Sequence, residues 1–425
     1  MIPENNNQYR TLSVGTGIDY LSEIEDVHTK LGGNTETWKI SEIGDGNLNL
    51  VFHIQSEHHS VIAKQALPYI RARGEKWQLP LSRAYFEHEA LLRHEKRAPG
   101  MTPAVIHFDH DMALIIMEYL EPHIVLRKGL VRGEIFSRAA DDLGHFLANT
   151  LFKSSNFSME ASEKRADIAL FSGNSALCEV TEARVFTEPY YEAELNRWTS
   201  PQLDHSVSLI RQDSKLKTSI NEMKTIFMNS SQALLHGDLH SGSVMITDTD
   251  TRIIDPEFAF YGPMGFDIGA LIGNYLLAYM AQNGHISKEN DRAMYSEWIL
   301  ATIQSTWRAF DHRFRKLWET ERTGGLFPEN VIHRQDQEES IKALNRFLET
   351  VLQDAIGFAG AKMMRRIIGA AHVEDLETIS DPNLRAKCEK HVIALARKLL
   401  LHRNDYSSMA DVVAITQDVR KRDPE

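Results

Sequence analysis

The sequence predicts an α+β protein of two lobes, a small β-rich one followed by a larger, mainly helical one. Three observations lead there. At 425 residues the chain exceeds what one small core organises. Short β-like apolar runs recur up to about residue 118, whereas helical periodicity dominates from residue 133 onward. Residues 235–269 (LHGDLHSGSVMITDTDTRIIDPEFAFYGPMGFDIG) set three carboxylates, Asp238, Asp255 and Glu257, around a short hairpin and beside a Gly-Pro-Met-Gly turn. Buried neighbouring carboxylates repel one another, so this stretch is expected to hold a cation and to carry phosphoryl transfer.

Taken in order, residues 19–31 place Tyr20, Leu21, Ile24, Val27 and Leu31 on one helix face, and Gly32-Gly33-Asn34 stops it. Residues 38–43, 48–55 and 60–66 read as strands. Between the first two lies Gly44-Asp45-Gly46-Asn47, a turn whose glycines let backbone N–H groups approach a ligand. A loop with Pro68, Gly74, Trp77 and Pro80 precedes a helix over 82–96, which carries Glu87 and Glu89. Two more strands, 104–108 and 113–118, complete a β-β-β-α-β-β order. Tyr119-Leu120-Glu121-Pro122 then marks a boundary between lobes 1–120 and 121–425. Helices follow over 134–152, onward to 187, up to about 230, and over 267–282, 291–319, 335–371 and 383–403.

Composition narrows the class. With 42% hydrophobic and 25% charged residues the chain is an ordinary globular one, and its net charge of −12 argues against a nucleic-acid or anionic-membrane binder. Cys178 and Cys388 lack metal-ligand spacing, and the first residues lack the pattern of a signal peptide. The most apolar stretch, 268–281, is too short for a membrane span and is interrupted by Asn274. A cytoplasmic protein is the expectation.

The motifs acquire meaning from their order. A Lys inside the apolar strand 60–66 is costly unless its ammonium meets an anion. A glycine turn, then Lys64 in the next strand, then a helix glutamate is the arrangement by which kinase-type enzymes cover, touch and orient nucleotide phosphates. Glu87 and Glu89 cannot both face Lys64, and Glu87 is the preferred partner. His236-x-Asp238-x-His240 admits a zinc reading, but Asp255 and Glu257 are hard oxygen donors suited to Mg²⁺. The preferred assignment makes Asp238 the base for a substrate hydroxyl, and Asp255 with Glu257 the Mg²⁺ ligands. Asp267 is expected to brace the catalytic loop by accepting backbone N–H bonds. Arg365 and Arg366, on a helix rich in Gly, Ala and Met, read as anion-binding residues, although adjacent helical positions diverge by about 100°. Trp77 reads equally as a loop anchor or as a lid.

At this point the residues carry a family resemblance. His236-Gly237-Asp238-Leu239-His240, followed by a hairpin and an aspartate, resembles the aminoglycoside, choline and homoserine kinase-like branch of the protein-kinase fold. Asp255-Pro256-Glu257 running into residues 258–269, Gly44-Asp45-Gly46-Asn47-Leu48-Asn49, and Ile356-Gly357-Phe358-Ala359-Gly360 ahead of the twin arginines are similar to the 5-methylthioribose kinase family over residues 44–372. The resemblance implies a bilobal protein-kinase-like fold and transfer from ATP, with Mg²⁺, to the anomeric hydroxyl of a small sugar in methionine salvage. It implies ATP contacts at Asn47, Lys64, the hinge residues Glu118, Tyr119 and Leu120, and Asp255, Pro256 and Glu257. It further implies sugar contacts at Asp238, Arg365, Arg366 and Trp77, and a homodimer. Ser243 stands where the wider fold has a metal-binding Asn. Three other readings are a kinase of the same fold for choline, homoserine or an aminoglycoside, a non-catalytic ATP-binding regulator, and a His/Asp metallohydrolase.

Overall fold

A computed structural model describes residues 8–43, 48–71, 74, 76–287, 290–327 and 337–422. The chain divides into two compact units. One comprises Met1–His123, Asn174–Leu177 and Arg252–Ala259; the other comprises Ile124–Gly173, Cys178–Thr251 and Phe260–Glu425.

The first unit is built on five strands: β1 Lys39–Glu42, β2 Asn49–Gln55, β3 Ser60–Ala66, β4 Val105–Asp109 and β5 Leu114–Glu118. They form an antiparallel sheet in the order β1-β2-β3-β5-β4. β3 is central because Val61, Ala63 and Ala66 are buried and both its edges are paired, Lys64 lying opposite Val51 and Ile115. The helix Arg83–Arg97 supplies buried Ala84, Phe86, Ala90 and Leu91 at helical spacing. The expected single helix over 19–31 is instead two, Val14–Ser22 and Glu25–Leu31, separated at the extended residue Ile24. Both bury the same kind of face (Leu21, then Val27 and Leu31), so the apolar period runs through a break that hydropathy alone cannot see.

In the second unit the helix Gly265–Ala281 is buried along its whole length and packs on the long helix Gln337–Ile368. Gly265, Gly269 and Gly273 recur every four residues on one face. A Cβ at Gly269 would lie 2.4 Å from the Ala355 carbonyl oxygen, and one at Gly273 3.1 Å from that of Ala359. The glycines thus let two backbones touch, which fixes the height of every side chain on the longer helix. The helical run ending near 230 is divided as Asp204–Gln212 and Ser214–Asn229, because Asp213 turns to cap the second by accepting from the Leu216 N–H at 3.0 Å. A last helix, Met409–Lys421, extends beyond the sequence-based expectation. It opens with a Ser408/Asp411 capping box. No helix among the described residues is long and apolar enough to cross a membrane.

Candidate active site

Each unit carries its own set of buried charges. In the first, the central strand delivers Lys64 with its Nζ 2.7 Å from Glu87 Oε1, and the ammonium also pairs with Asp255. Glu89 turns elsewhere, to Arg93 at 2.5 Å. Asp255 has φ of 68°, a left-handed conformation that a residue with a side chain adopts at some cost. Glu257 is held by two residues that sequence reasoning passed over. Asn49 Nδ2 donates to its Oε2 at 3.0 Å, and Arg83 Nε approaches the same oxygen at 3.4 Å. Arg83 is fully buried and also donates to the Leu48 carbonyl at 2.7 Å and to Asn49 Oδ1 at 3.1 Å. Asn174 Nδ2 donates to the backbone carbonyls of Glu257 and Ala259 at 2.9 and 3.0 Å.

One carboxylate oxygen each from Glu87, Asp255 and Glu257 lies within 4.8 Å of the others, an all-oxygen donor set of the kind Mg²⁺ takes. Their electrostatics point the same way. Burial raises Glu87 and Glu257 above the ordinary glutamate range, and the mutual repulsion with Asp255 adds to it. Burial would lower Lys64, but Asp255, Glu87 and Glu257 overcome it and keep the ammonium charged. Three carboxylates beside Lys64 and Arg83 still leave room for further positive charge.

The other expected residues of this unit are placed as follows. Glu118 closes β5, and its Oε2 accepts from the Ala104 N–H at 3.1 Å and from Arg252 at 3.3 Å. Tyr119 stacks on His53 at 4.1 Å, and Leu120 is buried. The Pro256 carbonyl accepts from the Ala259 N–H at 3.1 Å. Trp77 is half-buried in the loop before the helix, its carbonyl accepting from the Ile70 N–H at 2.8 Å. Asn47, with the rest of the Gly44 turn, lies outside the described residues.

In the second unit the catalytic-type loop is pinned from below. Asp267, in the first turn of the helix Gly265–Ala281, accepts the backbone N–H groups of His236 at 2.6 Å and Gly237 at 3.0 Å. Gly237 has φ of 86°, so the loop turns where a side chain would be strained. His236 Nδ1 accepts from the Asp238 N–H at 3.3 Å, and His240 Nδ1 from the Gly242 N–H at 3.0 Å. Both histidines therefore spend a ring nitrogen on the loop backbone. Among the described residues only two groups of three could hold a metal ion, and His236/Asp238/His240 is not one of them. Ser243 Oγ donates to the Asp238 carbonyl at 3.1 Å.

Asp238 faces two cations and an imidazole. Lys362 Nζ lies 2.7 Å from its Oδ1, Arg365 Nη1 lies 3.9 Å from the same atom, and His240 Nε2 lies 3.5 Å from Oδ2. Burial alone would raise this carboxyl, yet Lys362 above all, then His240, Arg365 and Arg366, hold it well below the usual carboxylate range. Arg366 turns to the Ala371 carbonyl at 3.3 Å, as the divergence of neighbouring helical residues requires. Lys362 went unread in the sequence, although it stands three and four residues before the twin arginines and so neighbours each of them on the helix. Asn274, an interruption in an apolar run by sequence, accepts at Oδ1 from Arg127 (3.1 Å) and Ser241 (3.2 Å).

A buried Lys–Glu pair beside acidic metal-type donors, together with a separately braced Asp, defines a phosphotransferase of the kinase-like fold. The phosphotransferase enzyme family matches residues 39–309. Methylthioribose kinase of Escherichia coli strain S88 is 46% identical over 95% of this chain and 97% of its own, and methylthioribose kinase 1 of Oryza sativa subsp. japonica is 42% identical over 96% and 95%. Among solved structures, a glucosamine kinase in complex with glucosamine, ADP and inorganic phosphate covers 91% of this chain and 86% of its own at 13% identity, with a TM-score of 0.46. The chain belongs to the methylthioribose kinase family.

Proposed function

We propose that the protein transfers the γ-phosphoryl group of ATP to the anomeric hydroxyl of 5-methylthioribose, giving ADP and 5-methylthioribose 1-phosphate, a step of methionine salvage. The observation that carries this reading is identity of 46% and 42% to methylthioribose kinases over nearly the whole chain. A largely cationic surround for the acceptor carboxylate supports it. Lys362, Arg365 and Arg366 suit an uncharged sugar gaining phosphate and disfavour a polycationic aminoglycoside or a choline.

In this reading Met1–His123 with its two added segments is the nucleotide lobe, and the rest is the catalytic and acceptor lobe. Lys64, oriented by Glu87, neutralises ATP phosphates. Asn47 and the strip Glu118, Tyr119 and Leu120 serve the nucleotide, and Trp77 lies over the sugar. Asp255 and Glu257, with Glu87 beside them and Pro256 between, would hold Mg²⁺, which when bound supplies charge neutralisation on the phosphates. Asp238 orients the hydroxyl through hydrogen bonding and takes its proton as the new P–O bond forms. An anomeric hydroxyl is more acidic than an ordinary alcohol, so positioning and charge neutralisation carry most of the rate. Arg365 and Arg366 face the sugar or the phosphoryl group in transit. The reading extends to a homodimer in the cytoplasm. Two free cysteines, whose thiols burial pushes up to about 12 for Cys178 and about 11 for Cys388, suit a reducing compartment.

A coupled ADP-release assay across methylthioribose, ribose, choline and homoserine tests it. Turnover with methylthioribose well above the other three is expected. Turnover with choline and none with methylthioribose would sink the proposal.

A further inference from the structure

The two oxygens of Asp238 are treated differently. His240 reaches Oδ2 from within the loop, and its ring is set by the backbone. Its Nδ1 accepts from Gly242, which leaves the proton on Nε2, and burial holds the imidazole well below its ordinary range and therefore neutral. Oδ1 is met by Lys362, delivered from the helix Gln337–Ile368. That ammonium is buried, 4.5 Å above the Phe266 ring. Burying a lysine is costly without a partner, and an apolar residue would pack against Phe266 as well. What Lys362 has that such a residue lacks is the contact with Asp238.

We propose that Lys362 is a positioning residue for the transfer: it clamps Oδ1 of Asp238, keeps the carboxylate ionised, and leaves Oδ2 to accept the proton of the acceptor hydroxyl. The inference rests on the reading of Asp238 as the base. In the step, the acceptor oxygen bonds to the γ-phosphorus, the bond to the bridging oxygen breaks with its electron pair leaving on ADP, and the hydroxyl proton passes to Oδ2. Lys362 keeps its protons throughout. The other groups facing the pair are Arg365 and Arg366 on the same helix, Asp267 from Gly265–Ala281, and His240, with Arg127 from Leu126–Arg132 facing His240 and both arginines. Burial, with Arg365 and Arg366 adding, draws Lys362 down to about 8, against the pull of Asp238.

Steady-state kinetics on the full chain from pH 5 to 9 test the assignment, with Lys362→Met and Lys362→Arg compared at equal folded fraction by circular dichroism. Without the ammonium, burial of Asp238 is opposed by His240, Arg365 and Arg366 alone, so its pKa rises. Lys362→Met should lower kcat roughly 10²-fold, leave both KM values within about 3-fold, and move the acidic limb of kcat/KM upward. The wild type should lose rate above about pH 8 as the Lys362 ammonium deprotonates, whereas Lys362→Arg should recover part of kcat and, staying charged, should hold its rate there. In an Asp238→Asn background, Lys362→Met should cost little more, because the two act as a unit. A uniform loss at every pH, with a lowered melting temperature and no recovery by arginine, would overturn the proposal in favour of a packing role. So would independent, multiplying losses in the double variant. Absence of turnover in the wild type is a separate outcome, visible before any variant is made; it overturns the reaction and this inference with it.

Discussion

Asp238 and Asp255 are both aspartates on loops of the same motif, and their surroundings separate their work. Asp238 is partly exposed, lies against Lys362 with Arg365 nearby, and is held ionised, as a proton acceptor must be. Asp255 pairs with Lys64 beside Glu87 and Glu257, where positive charge is in demand. Asp238→Asn should therefore lower kcat by about 10²–10⁴-fold, the usual worth of general-base catalysis, while ATP affinity by calorimetry stays within about 2-fold. Collapse of ATP binding in a folded Asp238→Asn protein would show the division of labour to be wrong. Asn49 and Arg83 belong to this scale as well. Neither looked functional in the sequence, because an Asn opening a strand and an Arg opening a helix are ordinary, and only their convergence on Glu257 shows what they hold.

At the scale of elements, the glycine face of Gly265–Ala281 sets where Lys362, Arg365 and Arg366 stand. An exposed helical Gly→Ala change usually stabilises, by roughly 1 kcal/mol. Gly269→Ala should do the opposite, because its Cβ would meet the Ala355 carbonyl at 2.4 Å and the Ala359 nitrogen at 2.9 Å, both backbone atoms. A loss of about 1–3 kcal/mol in urea unfolding is expected, and a gain would refute the close-packing account. Asp213 joins three helices: it separates Asp204–Gln212 from Ser214–Asn229, caps the latter, and pairs with Arg397 of Pro382–Leu401 at 2.7 Å. Burial works to raise its pKa, but the Leu216 N–H and Arg397 prevail and lower it. A folded pKa below the unfolded value gives stability that is present above about pH 4 and fades as pH falls through the folded pKa. Asp213→Ala should cost about 1–2 kcal/mol at pH 7, with the deficit shrinking towards pH 3 in thermal melts.

At the scale of the molecule, the Lys64 and Asp238 sets belong to different compact units, so substitutions should sort by unit. Mg-ATP at 100 times its Kd should stabilise the wild type by about 2.7 kcal/mol. Asp238→Asn should keep that thermal shift. Glu257→Gln and Lys64→Met should lose most of it. A retained shift in both would remove the proposed nucleotide and metal roles. No such shift is expected from DNA, given the net charge of −12.

Much of this was legible from sequence, for a definite reason. The β-β-β-α-β-β succession, the Lys64–Glu87 pairing and the Asp267 brace depend on local spacing: side-chain period along a strand, helix phase, and a loop and helix start about thirty residues apart in one motif. Family membership was legible too, because HGDLH and DPE are contiguous words. What the tertiary structure decided is which distant residues meet. Asn49 and Arg83 come to Glu257 from more than 170 positions away, and Lys362 comes to Asp238 across 124 positions. Periodicity reports which face of an element is buried and is silent on what lies against it. The buried charge of Lys362 becomes intelligible once glycine-mediated helix packing has set its ammonium on the carboxylate.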